Sequence, residues 1–189
     1  MLKNEMIKKL VVLPDDYRLV KTATELRNRR PVVIQRYQKA GKLSYNGPRI
    51  TAVFEGDRLV SLNNLAVVPK GKLPDEEVAK QNASAFFKQV DPNDAKKLSF
   101  LWIEQQTREF ITTDGQTNEF SVLWIEFSHR DGSYDWITLG GGGTLIELER
   151  DSRWDYFRGR RKTEMWNNDD WVRARQGLGP QLPSPNTLA

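Results

Sequence analysis

Three tryptophans, two glutamates and a tyrosine fall into one pattern in this 189-residue sequence. If the apolar runs LSFLWIE (98–104), FSVLWIEF (120–127) and YDWITL (134–139) are strands, alternate residues point to opposite faces. Leu98, Phe100 and Trp102, then Val122 and Trp124, then Tyr134 and Trp136 share one face, and Leu101, Ile103, Leu123, Ile125, Phe127, Ile137 and Leu139 share the other. Glu104 and Glu126 stand on the tryptophan face. A row of indoles anchors an extended ligand such as a peptide, because large flat rings bury much area with little lost freedom. Two carboxyls in an aromatic cleft could instead do acid/base work, since burial raises the pKa of one relative to the other. Carboxylates at a sheet margin, paired with arginine or water, are the commoner arrangement. The expectation is therefore a non-enzymatic binding or regulatory domain, engaging a protein or peptide through Trp102, Trp124, Trp136, Tyr134 and Phe100, with a small hydrolase as a lesser alternative. The competing structural expectation is that Trp154, Tyr156, Phe157 and the first group of strands bury this face as ordinary core.

Other residues carry weaker chemistry. Residues 151–176 are basic and aromatic, and Arg153, Arg158, Arg160, Arg161 and Lys162 lie among Trp154, Tyr156, Phe157 and Trp166. Cations that contact phosphate beside rings that stack on bases are one way to bind nucleic acid, which makes this the alternative function. A basic strand folding over an acidic sheet needs the same residues. His129, the single histidine, adjoins a turn at Arg130-Asp131-Gly132 and reads as a solvated turn residue; with no cysteine present, no usual zinc set forms around it. Asp131 and Asp135 lack the spacing of a calcium loop. Gly140 to Gly143 runs into Thr144–Leu148, a strand pattern, so it reads as a hairpin reversal and not a phosphate cradle. No cofactor or metal is expected.

Composition sets the frame. Hydrophobic residues make up 38% and charged residues 29%, which describes a chain of one core with no run long enough to span a bilayer. The absence of cysteine excludes disulfides and thiolate chemistry. As written the chain reads as cytoplasmic, and as a cell-envelope protein if an export segment precedes it. The net charge of +4 conceals an asymmetry: residues 1–50 carry 12 Lys/Arg against 4 Asp/Glu, 51–150 carry 10 against 16, and 151–189 carry 7 against 5. Basic ends around an acidic middle suit internal charge pairing better than a nucleic-acid surface.

These side chains must be positioned by regular elements. Residues 3–12 read as a short helix and 17–26 as strand or irregular. Strands are expected from Val32 to about Gln38, over 50–55 and over 59–65, with a turn at 40–48 around Asn46-Gly47. The helix over 74–91 has the firmest signals. Pro74 suits a first helical position, Asp75, Glu76 and Glu77 suit its amide end, and Ala79, Ala83, Phe86, Phe87 and Val90 form one apolar stripe. Asp91-Pro92 stops it, and Leu73 stands at the expected cap. Beyond it, strands are expected over 98–104, 107–112, 120–127 and 134–139, with 144–149 closing the sheet. Asn167 or Asn168 caps a last short helix that Gly177 ends. The expected organisation is α+β: two helix-plus-antiparallel-meander halves packed together (1–68 and 69–150), a basic aromatic segment (151–176) and a flexible tail (177–189).

Leu13-Pro14-Asp15-Asp16-Tyr17, an extended strand, Ser44-Tyr45-Asn46-Gly47-Pro48 leading into Ile50–Leu62, and Pro74-Asp75-Glu76-Glu77-Val78 opening a helix that closes on Val90-Asp91-Pro92 resemble the PepSY-like repeats of Firmicute proteins. The resemblance covers roughly residues 5–140. It implies a propeptide or cell-envelope type of module, with a helix packed on antiparallel sheet, that acts as a binding or peptidase-inhibiting element and has no catalytic residues to carry over.

Overall fold

The structure, a computed structural model, describes residues 3–41 and 43–188, so positions 42 and 189 of the expected turn and tail, and the first two residues of the first half, lie outside it. Helix α1 (Lys3–Leu10) precedes strands β1 (Tyr17–Arg27), β2 (Arg30–Lys39), β3 (Arg49–Glu55) and β4 (Arg58–Leu65). Helices α2 (Glu76–Val90) and α3 (Pro92–Ala95) follow, then β5 (Ser99–Ile111), β6 (Thr117–Ser128), β7 (Tyr134–Leu139) and β8 (Leu145–Ser152). A two-stranded ribbon of β9 (Trp154–Asp155) and β10 (Arg160–Arg161) and a final helix α4 (Asp169–Arg175) complete the described chain.

The eight long strands form one antiparallel sheet in the order β1-β2-β3-β4-β8-β7-β6-β5. This overturns the expected fold class. Strand accounts for 43% of the chain against 20% helix in four short helices, so the molecule is a sheet with helices laid on it, not two helix-plus-meander halves packed on each other. The reason lies in β8. Its residues do not close an edge; they insert at the centre, pairing Ser61 with Glu149, Leu62 with Leu148 and Asn63 with Glu147 on β4, and Ile137 with Leu148 and Thr138 with Glu147 on β7. Two open strand edges satisfy each other's backbone groups, and the seam between the halves becomes continuous sheet.

Local chemistry explains the other departures. The cap of α2 is Asp75, which accepts from the Val78 N–H at 2.9 Å, so Pro74 lies before the helix and Leu73 plays no capping part. Asp91 does double duty. Its N–H donates to Phe87 O at 2.8 Å to end α2, and its carboxylate caps α3, with Pro92 where a missing N–H is harmless. The two strands expected over 98–104 and 107–112 are one, because Gln105 and Gln106 keep their pairing to Leu123 and Val122 without a break. The 141–143 reversal is a short 3-10 turn tucked under the linker into α2. A Cβ on Gly141 would meet Gly71 O at 2.4 Å, so only glycine permits that approach.

The two faces of the sheet are covered differently. On one, Ile7 and Leu10 of α1 and Ala79, Ala83 and Phe87 of α2 pack against Ile50, Phe54, Leu62, Ile125, Phe127, Ile137 and Leu148 in a single large core. This is the aliphatic face expected for Phe86 and Phe87. On the other, Met165, Trp166 and Trp171 of the C-terminal segment pack against Val32, Val53 and Val60. The tail makes contacts with the segment before it: Arg161 N–H donates to Pro185 O at 3.0 Å, Ser184 Oγ to Gly159 O at 2.7 Å, and Leu182 and Leu188 pack on the Trp166 and Trp171 cluster.

Candidate functional site

The C-terminal segment covers the β2–β4 part of its face, touches β7 only through Arg161 and Tyr156, and leaves β5 and β6 open. What remains is an open groove of about 770 Å³, floored by the sheet and walled on one side by Trp154, Tyr156, Met165, Asn168, Asp170 and Pro185. Strand alternation brings Trp102, Trp124 and Trp136 into a row across three strands on this floor, with ring centroids 6.2 and 5.9 Å apart and successive rings tilted by 53° and 61°. Trp102 is 55% exposed, and Trp124 and Trp136 are half-buried. Tyr134 joins them at the groove's end, where its hydroxyl contacts that of Tyr156.

Phe100 does not belong to this row. Between Phe100 and Trp102 the pairing with β6 slips by one residue, so that Phe100 lies opposite Phe127 and Trp102 opposite Glu126. The bulge at Leu101 turns Phe100 to the helix side, where it packs on Phe127 at 5.8 Å and lies under Lys80 Nζ at 4.5 Å. Plain alternation from Leu98 cannot register an extra residue. The expected cover is incomplete: Trp154 and Tyr156 wall the groove without closing it and Phe157 is fully exposed, while Trp166 and Trp171, farther along the chain, cover the other part of the face.

Behind the row the floor is charged, and most of its carboxylates are paired. Arg108 holds Glu147 through Nε and Nη2, both at 2.9 Å, and Thr138 Oγ1 donates to Glu147 at 2.7 Å. Burial alone would raise the Glu147 pKa; Arg108 outweighs it and holds that carboxyl below its ordinary range. Glu149 accepts from Arg27 at 2.8 Å and from Arg161. Asp169 accepts from Arg36 at 2.6 and 2.8 Å and from the Asn46 N–H at 2.6 Å, with Arg49 Nε 3.3 Å away. Its burial is again outweighed by these cations, and its pKa is lowered. The signal for this belt was the Glu147-Leu148-Glu149 alternation, which marks a charged face on β8. Its arginines come from β1, β2, β3, β5 and β10, and no local pattern joins them.

Glu104 and Glu126 both reach the groove, Glu104 opposite Trp124 and Glu126 opposite Trp102 and Trp136. Glu104 is exposed and accepts from Gln106 at 3.1 Å. Glu126 is only 5% exposed, and burial pushes its pKa up to about 7. The basic set is mostly engaged. Arg153 pairs with Asp131 at 2.7 Å, Arg158 with Asp155 at 3.1 Å, Arg160 donates to Leu188 O at 2.8 Å, and Arg161 is buried against Glu149 with its guanidinium 5.0 Å from the Trp136 ring. Lys162 is exposed. These residues do not form one outward stripe.

The residues nearest to a metal-binding set lie at the end of the helix side. Asp94, His129 and Asp135 bring ligand atoms within 4.8 Å of one another. Arg150 contacts Asp94 and lies 3.9 Å from Asp135, and Arg58 pairs with Asp94 at 3.2 Å, so two guanidinium groups already supply the cation. His129 is not a solvated turn residue: its side chain is 9% exposed, 3.3 Å from Asp135, whose carboxylate holds its pKa above the ordinary value. No helix among the described residues is long and apolar enough to cross a membrane. In comparisons with known proteins, no family model, no curated protein and no solved structure matches this chain.

Proposed function

We propose that this chain is a non-enzymatic binding domain that takes an extended peptide segment into the groove over Trp102, Trp124 and Trp136. The observation that carries the reading is the incompletely covered row itself. Large aromatic side chains on a sheet face are ordinarily packed, and here the C-terminal segment packs two other tryptophans on the same face while leaving Trp102 exposed and Trp124 and Trp136 half-buried at the groove floor. Concave shape, aromatic floor and a polar rim are the usual anatomy of a recognition site. A peptide in extended form presents every second side chain to such a floor, in step with strands that present theirs.

A random dodecapeptide library displayed on phage tests this. Peptides recovered on the wild-type protein should lose binding to Trp102→Ala and Trp124→Ala variants that keep the wild-type circular dichroism spectrum. Acrylamide should quench the wild-type fluorescence more than that of the Trp102→Phe, Trp124→Phe, Trp136→Phe triple variant. A library whose recovered peptides ignore both alanine variants would overturn the reading.

A further inference from the structure

Four carboxylates are buried or half-buried on the groove face, and three of them are paired with arginine from the chain itself: Glu147 with Arg108, Glu149 with Arg27 and Arg161, Asp169 with Arg36. Glu126 is the exception. It stands between Trp102 on β5 and Trp136 on β7, lines the groove, and has no hydrogen-bond or ion-pair partner among the described residues. A largely buried carboxyl without a charged or hydrogen-bonding partner is unfavourable by itself, and a cation supplied from outside relieves it.

The rings around it fit the same occupant. Trp102, Trp124 and Trp136 are tilted against one another beside Glu126 in the strand register, so they do not form the flat platform on which a sugar ring stacks. The chain contains its own copy of the arrangement one step away: the Arg161 guanidinium lies 5.0 Å from the Trp136 ring while it pairs with Glu149. An indole face and a carboxylate acting together on a guanidinium are thus already at work in this groove.

We infer that the groove selects a cationic peptide, one of whose arginine or lysine side chains enters between Trp102 and Trp136 and pairs with Glu126. This rests on the proposed peptide-binding role of the groove. The net charge of +4 makes a general attraction for cationic peptides unfavourable, so selectivity for them requires a local site. Binding should also strengthen as the pH rises from 6 to 8 and Glu126 gives up its proton. The other charged or titratable groups on this part of the face are Glu104 on β5, Tyr134 on β7, Glu149 on β8, and Arg161 and Tyr156 from the C-terminal segment.

The test uses fluorescein-labelled octapeptides (Ser-Arg)4, (Ser-Lys)4, (Ser-Gln)4 and (Ser-Glu)4 with the full chain at pH 8 and about physiological salt, read by fluorescence anisotropy. The arginine peptide should bind about tenfold tighter than the glutamine peptide. Glu126→Gln, an isosteric change whose folding is checked by its thermal melt, should abolish that difference, and Trp102→Ala at an exposed position should reduce it. Equal binding of all four peptides, or a charge preference that survives Glu126→Gln, overturns the cation inference and leaves the groove reading intact. Binding of none of them overturns both. Cellohexaose competing for the groove without any arginine preference would sink the inference in favour of a saccharide ligand.

Discussion

One face of the sheet holds two groups of tryptophans that meet opposite fates. Trp166 and Trp171 sit edge to face at 5.0 Å over Val32, Val53 and Val60, and Trp171 is wholly buried. Trp102, Trp124 and Trp136 lie on the same face over β5, β6 and β7, in similar ring geometry, and border solvent. Residue type is therefore no guide to the difference. Cover is: one group belongs to the segment that folds over the sheet, and the other to the part of the sheet that the segment touches only at Tyr134 and Trp136. The charged belt between them shows the same division, since Glu149 and Asp169, beneath the cover, are neutralised by arginine and Glu126, beyond it, is not.

The sharpest break of that comparison is to truncate one tryptophan from each group. Trp171→Ala removes a fully buried ring, with an expected loss of ~3–5 kcal/mol in urea unfolding. Trp102→Ala, at a half-exposed position, should cost no more than ~1 kcal/mol. Equal losses would mean that the groove is core after all.

Next comes the charged belt. Asp169→Asn leaves Arg36 and Arg49 buried without their counter-charge, and ~3 kcal/mol of destabilisation is expected at neutral pH. The Asp169 pKa is depressed in the fold, so its contribution is complete above the ordinary carboxylate value and is lost as the pH falls through the lower folded value. The variant's penalty should shrink in acid accordingly, as followed by urea midpoints between neutral and acid pH. A penalty that stays constant would mean that Asp169 acts by packing alone.

Glu126→Gln should act in the opposite direction. The folded chain holds the Glu126 proton up to about pH 7 while the unfolded chain releases it near the ordinary value of 4.5, so wild-type stability falls as pH rises across that window. Glutamine removes the dependence. The variant should match the wild type below the window and exceed it by ~1–2 kcal/mol at pH 8, part of the full shift being screened by water in the groove. A variant less stable than wild type at pH 8 would mean that Glu126 has a partner within the fold.

The smallest effect is on Trp102→Phe, which should leave the urea midpoint within ~0.5 kcal/mol of wild type. Its acrylamide quenching should drop visibly, because the indole it removes is exposed. Unchanged quenching would place the accessible fluorescence on another tryptophan.

Local residue patterns are enough to place most of the regular elements and their faces. Period-two alternation placed Trp102, Trp124, Trp136, Glu104 and Glu126 together, because side-chain direction in a strand depends only on neighbouring residues. The stripe of Ala79, Ala83 and Phe87 marked the buried side of α2 for the equivalent reason. Phe100 escaped that logic, since one bulged residue reverses every assignment on its far side. Long-range contacts settle the rest: β8 joins β4 to β7 at the centre of a single sheet, Arg27, Arg36, Arg49 and Arg108 converge on three carboxylates, and the C-terminal segment covers the indole row only at Trp136. Each of these depends on contacts between residues far apart in the chain, and strand pairing and cover are set by which open edges and faces meet, a matter on which local residue patterns are silent.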